Sequence, residues 1–176
     1  YLVDAVMGAL NLMAASQGTN NNITFGDAQY QYYETLCGGT GASALGDGVS
    51  AMHSHMTNSR LTDPEVLEQR FPVVLEWFHI RRLSGGAGQF RGGDGVERHI
   101  RFLQPMQADI ISGRRQVAPH GLAGGNHGKV GHNFVLRRAG QLQRLDGCDC
   151  MQLEAGDTLC IHTPGAGGYG PKSNDE

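Results

Sequence analysis

The sequence lacks the features of several common protein classes. No apolar run approaches the roughly 20 residues of a membrane-spanning helix. Residues 1–15 include Asp4 and lack the basic start of a signal peptide, and the chain does not begin with Met. The formal net charge of −3 disfavours nucleic acid, which selects basic surfaces. We therefore expect a cytoplasmic piece of a longer protein, with neither a membrane nor a nucleic acid as partner.

Common nucleotide-binding and nucleophile motifs are also missing. No Gly-Lys-Ser/Thr triplet occurs, which excludes a Walker A phosphate loop, and Ser84 lacks the G-x-S-x-G context of a hydrolase nucleophile. The glycine-rich stretch SGGAGQFRGGDG, residues 84–95, precedes strand-like alternation rather than a helix, which disfavours a dinucleotide loop. The stretch predicts a connection between strands, with an ion pair among Arg91, Asp94 and Arg98.

Cysteine is scarce and shows no metal-binding spacing. The four cysteines contain no CxxC pair, and the CDC at 148–150 is a weak signal. We expect reduced thiols, with Cys37 and Cys160 acting as small apolar residues. An alternative makes Cys37 a nucleophile beside His53 or His55, which requires surroundings that stabilise a thiolate.

Glycine, in contrast, is abundant, with 27 of 176 residues against a usual share of roughly 7%. No repeat or low-complexity tract accompanies it, so disorder is a poor explanation. We expect the surplus to serve turns and close backbone approaches, where a Cβ atom would clash.

Two helices are predicted in the first part of the chain. Apolar residues recur at helical spacing over Tyr1–Ser16. Asp63-Pro64-Glu65 begins a second helix that runs through Glu68, because proline suits the first helical position. Pro72 ends this segment.

Strands are predicted to dominate the rest. Residues 23–33 predict one or two strands around the Gly26-Asp27 turn. Alternation over Val73–Arg82 predicts a long strand with Val73, Leu75, Trp77 and His79 on one face. Later strand-like runs are Val96–Leu103, Ala108–Ser112, His132–Arg138, Gln141–Leu145 and Asp157–Thr163. Ala139-Gly140 predicts a hairpin between two of these runs.

These elements predict an α+β fold in one domain, residues 1–176. Residues 73–170 would form a mainly antiparallel sandwich or barrel, because few helices are predicted after Pro72. Residues 1–72 would be rich in helices and loops, and residues 171–176 would be a tail.

Histidine, amide and guanidinium groups are the candidate site residues. His53 and His55, two apart, would share one face of a strand and bind a metal if a carboxylate joined them. Hydrogen bonding within a loop is the alternative for both. Asn58, Arg60 and Arg115 suit a small carboxylate-bearing ligand because they are directional donors, and capping or surface pairing is the alternative.

Long motifs in the chain carry a family resemblance. They are YYETLCGGTGAS (32–43), HSHMTNSRLTDPEVLEQRFPVVL (53–75), SGGAGQFRGGDGVERHIRF (84–102) and HTPGAGGYG (162–170). They resemble the C-terminal part of the hydantoinase B-type region in the hydantoinase B / 5-oxoprolinase family. The resemblance extends through SQGTNNNITFG (16–26), APHGLAGGNHGKVGHN (118–133) and LEAGDTLCIHTPG (153–165), and so covers nearly the whole chain.

Two positions depart from the family pattern, where Asn20 replaces a methionine and Ala166 replaces a glycine. An unsatisfied buried amide is costly, so Asn20 should be exposed or hydrogen-bonded. Alanine disfavours a positive φ, so the backbone at Ala166 should not need one.

The resemblance implies an ATP-dependent hydrolase that opens the lactam of 5-oxo-L-proline to give L-glutamate. An ATP-binding hydantoinase A-type domain or subunit would phosphorylate the substrate, and the B-type region would act on the activated lactam with a divalent metal. This chain would be a C-terminal piece that is inactive alone and itself binds neither ATP nor metal. Its partners would be the A-type part, the N-terminal half of the B-type region, the small-molecule substrate and further copies of the complete enzyme.

For that reaction we predict His53, His55 and Asn58 as catalytic residues, the histidines serving proton transfer. We predict Asn58, Arg60 and Arg115 as substrate-binding residues that orient the ligand and stabilise developing negative charge. An N-methylhydantoinase or an acetone or acetophenone carboxylase subunit is the alternative on the same scaffold. A non-catalytic docking module for the A-type partner and a stand-alone metal-dependent hydrolase are two further alternatives.

Overall fold

The fold consists of two antiparallel β-sheets with two short helices beside them. A computed structural model describes residues 1–55 and 57–172. The helices of this part are α1 (Leu2–Ala9) and α2 (Pro64–Arg70). Its strands are β1 (Asn22–Gly26), β2 (Gln31–Thr35), β3 (Val73–Arg81), β4 (Gly95–Phe102), β5 (Met106–Ile111), β6 (His132–Leu136), β7 (Leu142–Leu145), β8 (Cys148–Leu153) and β9 (Thr158–His162). No helix within these ranges is long and apolar enough to cross a membrane. The last four residues of the predicted tail, 173–176, lie outside the described residues.

The strands pair in the order β2-β1-β5-β8 in one sheet and β3-β4-β9-β6-β7 in the other. Every pairing is antiparallel. The predicted α+β class is therefore confirmed, and the two separate sheets make the architecture a sandwich rather than a barrel. Strands β3 to β9 lie within the predicted β-rich range, whereas β1 and β2 fall in the segment predicted to be rich in helices and loops.

The hydrophobic core lies between the two sheets. The four-stranded sheet contributes Ile23, Phe25, Ala108, Ile110, Met151 and Leu153. The five-stranded sheet contributes Val73, Ile100, Phe102, Val135, Leu145, Leu159 and Ile161. Strand β4 alternates regularly, with Ile100 and Phe102 buried and His99 and Arg101 partly exposed on the outer face. Each large apolar side chain buried in this way stabilises the fold by about 1.5–3 kcal/mol.

Helix α1 is shorter than the helix predicted over Tyr1–Ser16. It ends at Ala9, and Asn11 adopts a left-handed backbone with φ of +56°. Residues 14–17 are then buried and extended because their backbone bonds to other loops, as when the Ala14 N–H donates to the carbonyl of Ala42. Hydrogen bonds to distant segments therefore replace the local helical hydrogen bonds that the sequence pattern favours for the backbone of residues 14–17.

Helix α2 follows the predicted signals. Asp63 is its N-cap and accepts a hydrogen bond from the Glu65 N–H at 3.0 Å, and Pro64 occupies the first helical position. The helix continues two residues beyond the predicted Glu68, to Arg70.

Strand β3 has the predicted position, but its side chains do not share the predicted face. The register with β4 shifts between Leu75 and Trp77, which marks a β-bulge. An extra residue moves all following side chains to the opposite face of a sheet. Val73 therefore belongs to the core, whereas Trp77 and His79 lie on the outer face beside β4.

Strand β8 was not predicted, whereas the other later strands and the hairpin at Ala139-Gly140 are confirmed. The sequence CDCMQL alternates exposed and buried residues, with Met151 and Leu153 in the core. This period-2 pattern is visible in the sequence, but two cysteines and an aspartate at its start drew attention to metal chemistry instead.

A buried ion pair joins the two sheets. Arg98 on β4 donates from Nε to Oε1 of Glu34 on β2 at 2.6 Å and from a terminal nitrogen to Oε2 at 3.1 Å. Both side chains are nearly inaccessible, at 1% and 3% exposed. The predicted pairing of Arg98 with Asp94 is wrong, although Arg91 does contact Asp94 at 2.7 Å. Sequence spacing favoured the near carboxylate, and the sandwich instead brings together residues 64 apart.

The cysteines behave as predicted. All four are free thiols, and Cys37 and Cys160 are buried. Burial raises the pKa of the Cys37 thiol and raises the pKa of Cys160 to about 12. A raised pKa opposes thiolate formation, which argues against the alternative of Cys37 as a nucleophile.

Removing one partner of the buried ion pair should destabilise the sandwich strongly. We expect Glu34→Gln to lower the local free energy of unfolding by about 3–5 kcal/mol, because Arg98 would keep a buried charge without its carboxylate. Hydrogen exchange of the β1, β2 and β4 amides in the complete protein measures this loss. Glu76→Gln is the matched control, because it breaks the exposed Glu76–Arg101 pair and should cost less than about 1 kcal/mol. Equal losses in the two variants would contradict the role of burial.

Alkylation should distinguish the buried from the exposed thiols. We expect iodoacetamide to modify Cys148 at least ~10-fold faster than Cys37 in the native protein, since Cys37 is buried and its pKa is raised. Peptide mass spectrometry over time reads both rates, and the rates should converge in guanidinium. Fast native labelling of Cys37 would restore the nucleophile hypothesis.

Candidate functional site

A cavity of about 700 Å³ lies beside the N-terminus of α1. Its walls come from the first residues of the chain, from segment 17–22, from Ser54, His55 and Thr57, and from residues 111–113 after β5. The volume falls within the range of roughly 300–1,000 Å³ that is typical of small-molecule sites. Asn20 lines this cavity. Its side chain is exposed, one of the two environments expected for an asparagine in place of the family's methionine.

His55 lies in the cavity wall and is held by a buried carboxylate. Its Nε2 lies 3.0 Å from Oδ1 of Asp4, whose side chain is 2% exposed. The same oxygen accepts a hydrogen bond from the Ser16 N–H at 3.0 Å. The contact with Asp4 orients the imidazole and leaves Nδ1 as the ring nitrogen that can exchange a proton with a ligand.

The backbone at His55 is also unusual, with a φ of +56°. Non-glycine residues adopt this left-handed conformation at an energetic cost, and such residues cluster at functional sites. The neighbouring turn is fixed by the Thr57 hydroxyl, which donates to the Ser54 carbonyl at 2.8 Å and accepts from the Ser54 N–H at 3.1 Å. The turn thus holds His55 against Asp4.

His53 has a different environment. Both of its ring nitrogens are buried, and none of the described residues bonds to them. Burial lowers the pKa of this imidazole, which keeps it neutral at pH 7. Residues 53–55 lie in a loop rather than on a strand, so the two histidines do not present one strand face. Among residues 1–55 and 57–172, neither of them joins a group of ligands able to hold a metal.

Arg115 lies behind the cavity within a buried network of amides. Its guanidinium donates to Asn133 Oδ1 at 2.7 Å, to Asn21 Oδ1 at 2.7 Å and to the Gly113 carbonyl at 2.7 Å. Burial lowers the pKa of Arg115 to about 9, so the side chain stays charged at neutral pH. Gly113 lines the cavity, and Asn21 lies between the lining residues Asn20 and Asn22. The positive charge is therefore separated from the cavity by one layer of residues.

Asn58 and Arg60 are exposed and lie outside the cavity lining. They follow Thr57, which is buried and belongs to the lining. The structure therefore brings His55 to the cavity wall, places Arg115 behind the wall and leaves Asn58 and Arg60 on the surface next to it.

The glycine-rich loops form a layer at one end of the sheets, which we call the glycine layer: residues 38–48, 84–95, 118–131 and 163–170. Their backbones approach closely, and a Cβ atom at Gly39 would lie 2.0 Å from the carbonyl oxygen of Gly93. The stretch 84–95 connects β3 to β4, as predicted, and does not line the 700 Å³ cavity. Ala166 is buried in this layer without a positive φ, also as predicted.

The glycine layer holds the cavity walls in place. The Gln17 N–H donates to the Gly39 carbonyl at 3.0 Å, and the Met52 N–H donates to the Gly38 carbonyl at 2.9 Å. The first bond anchors the segment that leads to Gly18 and Asn20, and the second anchors the loop that leads to His55. The two wall segments are therefore anchored to adjacent residues, Gly38 and Gly39, of the same loop.

A second polar cluster lies on the outer face of the five-stranded sheet. It contains Glu97 and His99 of β4 and His162 of β9. None of these three residues was predicted from the sequence to belong to a site. The available signal was the Glu-x-His spacing inside a predicted strand, which places both side chains on one face.

Comparisons with known proteins agree with the motifs. The chain matches the family model described as Hydantoinase B/oxoprolinase over residues 1–172. It is 44% identical over 98% of its length to a 5-oxoprolinase of Dictyostelium discoideum and 46% identical over 96% to 5-oxoprolinase 1 of Arabidopsis thaliana. The chain spans only 14% and 13% of the length of these relatives.

Two solved structures share the fold. The ATP-dependent caprolactamase from Pseudomonas jessenii superimposes with a TM-score of 0.74 at 24% identity, covering 91% of this chain and 30% of that chain. A nucleotide-free acetone carboxylase superimposes with a TM-score of 0.70 at 19% identity, covering 97% of this chain and 28% of that chain. The sequence match over residues 1–172 carries the assignment, and the chain belongs to the hydantoinase B/oxoprolinase family.

Proposed function

We propose that this chain is part of an ATP-dependent cyclic amide hydrolase that opens 5-oxo-L-proline to L-glutamate. The relatives that are 44% and 46% identical carry the name 5-oxoprolinase, and the caprolactamase with the same fold is named for another cyclic amide. The observation that carries the proposal is the cavity of small-molecule size with His55 held by buried Asp4 in its wall.

His55 is the proposed proton-transfer group. Hydrolysis adds water across the amide: a C–O bond forms at the ring carbonyl carbon, the C–N bond breaks and the nitrogen leaves as an amine. His55 Nδ1 would accept the proton of the attacking water and return it to the leaving nitrogen, while Asp4 stabilises the imidazolium formed in between. Buried Asp4 suits this role because its Oδ1 already faces His55 Nε2 at 3.0 Å.

The remaining predicted residues take supporting roles in this proposal. Arg115 would favour negative charge in the cavity from behind its wall, since a buried guanidinium is poorly screened. Asn58 and Arg60 would bind the carboxylate of the substrate at the surface beside Thr57. Neutral His53 would pack behind the turn that carries His55, with its buried nitrogens available for proton transfer.

ATP would supply the phosphoryl group that activates the amide oxygen. Ring opening by the first water would then leave an acyl phosphate, and a second water would release inorganic phosphate and the carboxylate of glutamate. No glycine loop of this chain ends in Gly-Lys-Ser/Thr, so the chain carries no Walker A loop for a triphosphate. Among the described residues, neither His53 nor His55 belongs to a group of ligands able to hold a metal. We therefore assign ATP to a hydantoinase A-type domain or subunit, and the divalent metal of the reaction to the N-terminal half of the B-type region.

Substrate turnover by the complete natural protein tests the proposal directly. We expect glutamate release from 5-oxoproline in the presence of ATP and none without ATP, measured by an amino-acid assay. N-methylhydantoin is assayed in parallel. Opening of that ring without glutamate release would show that the protein is a cyclic amide hydrolase whose substrate is a hydantoin. A third assay supplies acetone and bicarbonate, because acetone carboxylase shares the fold. Carboxylation of acetone would show that the protein is a carboxylase and not a cyclic amide hydrolase.

Substitution of His55 tests the assigned catalytic group. We expect His55→Gln in the complete protein to lower kcat by about 10²–10⁴-fold, the usual contribution of a positioned general base. His127→Gln is the matched control, because His127 is exposed and lies outside the cavity lining. Unchanged kcat in a folded His55→Gln protein would remove His55 from the mechanism.

The surface residues are tested in the same assay. We expect Arg60→Ala and Asn58→Ala to lower kcat/KM by about 10-fold or more, since a hydrogen bond to a charged group contributes about 1.5–3 kcal/mol. Arg70→Ala is the control, an exposed arginine at the end of α2. If the Asn58, Arg60 and His53 substitutions leave chemistry unchanged and the chain still binds its A-type partner, the docking-module alternative replaces a catalytic role.

A further inference from the structure

Four side chains with basic or acidic groups form a row across the outer face of the five-stranded sheet. In the strand register, His79 pairs with Glu97, Glu97 with His162, and His162 with His132. His99 lies two residues from Glu97 on the same face of β4. This surface shares no residue with the cavity of the proposed hydrolase site.

Three of these residues converge on one point. Nε2 of His99 lies 3.0 Å from Nε2 of His162, and Nε2 of His162 lies 3.8 Å from Oε2 of Glu97. The three ligand atoms all lie within 4.8 Å of one another, and the two imidazole rings are nearly parallel, at 7°. Ligand atoms around a tetrahedral zinc are about 3.3 Å apart when the metal–ligand distances are about 2.0–2.2 Å. The observed separations of 3.0 Å and 3.8 Å lie on either side of that spacing.

The facing nitrogen and oxygen atoms of this cluster have few protons with which to hydrogen-bond one another. Trp77 donates from Nε1 to Nε2 of His79 at 3.0 Å, so neutral His79 carries its proton on Nδ1. That same Nε2 lies 3.2 Å from Oε2 of Glu97 and has no proton to donate to it. Burial lowers the pKa of His162 to about 4 and also lowers the pKa of His99, so both imidazoles are neutral at pH 7. Each neutral imidazole has one ring nitrogen with a lone pair, and the Nε2 atoms of His99 and His162 face each other at 3.0 Å. At most one proton can lie between them, and a cation bound to both nitrogens would take its place.

From these contacts we propose that Glu97, His99 and His162 bind one divalent transition-metal ion of the zinc type. Two imidazoles and one carboxylate suit Zn²⁺ and its neighbours in the first transition row better than Mg²⁺ or Ca²⁺, which prefer oxygen ligands. Three protein ligands leave a coordination position open, as in zinc sites that bind water or a small ligand. The site adjoins a second cavity of about 730 Å³, lined by Trp77, His79, Ile80, Arg82 and Glu97.

The strands give this site a firm frame. Glu97 and His99 are held by pairing of β4 with β3 on one side and with β9 on the other, and β9 carries His162. His79 contacts Glu97 from β3 and is itself fixed by Trp77. A group of this kind orients a metal ligand and strengthens binding without touching the metal. A metal ion at this cluster differs from the expectation, implied by the family resemblance, that this chain itself binds no metal.

Metal content of the complete protein tests the proposal. The protein is produced without a histidine tag, stripped with a chelator, loaded with Zn²⁺ and measured by elemental mass spectrometry. We expect His162→Gln and His99→Gln each to lower the zinc content by one equivalent per chain relative to the parent. The difference isolates this site from any metal held by other parts of the protein.

Cobalt supplies an independent signature and the matched controls. Co²⁺ in place of Zn²⁺ should give visible absorption that disappears in Glu97→Gln, a variant that keeps the shape of the side chain. His132→Gln should keep both the absorption and the zinc content, because His132 lies in the same row but outside the cluster. His79→Gln should keep the stoichiometry and weaken zinc affinity by about 10–100-fold.

Parent-level zinc and unchanged cobalt absorption in the His162→Gln and Glu97→Gln proteins would overturn the proposal. An equal loss of zinc in His132→Gln would also overturn it, because loss would then not depend on the cluster. Circular dichroism of each variant checks that the sheet remains folded. Glu97→Gln keeps the test decisive if a histidine variant does not fold.

Discussion

Close contact between backbones in the glycine layer is the constraint on which the candidate site depends. Loops 38–48 and 84–95 meet so closely that Gly39 and Gly93 have no room for a Cβ atom. Their backbone carbonyls accept hydrogen bonds from segments that carry the cavity walls, Gly38 from Met52 and Gly39 from Gln17. A side chain at such a position would separate the loops and move both walls. The high glycine content thus sets the geometry of the site rather than its flexibility.

Buried charges add polar contacts between elements that the hydrophobic core also joins. Arg98 reaches across the sandwich to Glu34, and both are held by two hydrogen bonds in a region with almost no solvent. Arg115 instead pairs with amide oxygens of Asn21 and Asn133, so its charge has no carboxylate partner among these contacts. The first arrangement neutralises a charge inside the core, whereas the second leaves positive potential behind the cavity wall.

The two polar sites of the chain are built in different ways. The groups of the hydrolase site lie on loops, where His55 takes a left-handed backbone and depends on Asp4 of α1. The metal cluster lies on paired strands, where the ladder of hydrogen bonds sets the spacing of Glu97, His99 and His162. Loop sites can adapt to a substrate and to a partner domain, and strand sites hold a fixed geometry. The chain thus combines one adaptable site with one rigid site.

Local sequence determined the features that depend on near neighbours. Asp63 and Pro64 begin α2, alternation sets the position of β4, and Gly140 allows the turn between β6 and β7 with a φ of +85°. The order of helix-like and strand-like runs indicated the α+β class, and the long motifs indicated the family. These features follow from rules that act over a few residues, or from strings too long to occur by chance.

Only the tertiary structure decided which distant residues meet. The buried segment after α1 depends on distant backbone partners such as Ala42, and the partner of Arg98 lies 64 residues away on the other sheet. The bulge after Leu75 turns Trp77 and His79 to the outer face, which no periodicity in the sequence reveals. Asp4 and His55, and likewise Glu97 and His162, become neighbours only when the chain has folded. The sequence determined the residue types in both sites, and packing determined their partners, because contacts between distant segments leave no local pattern.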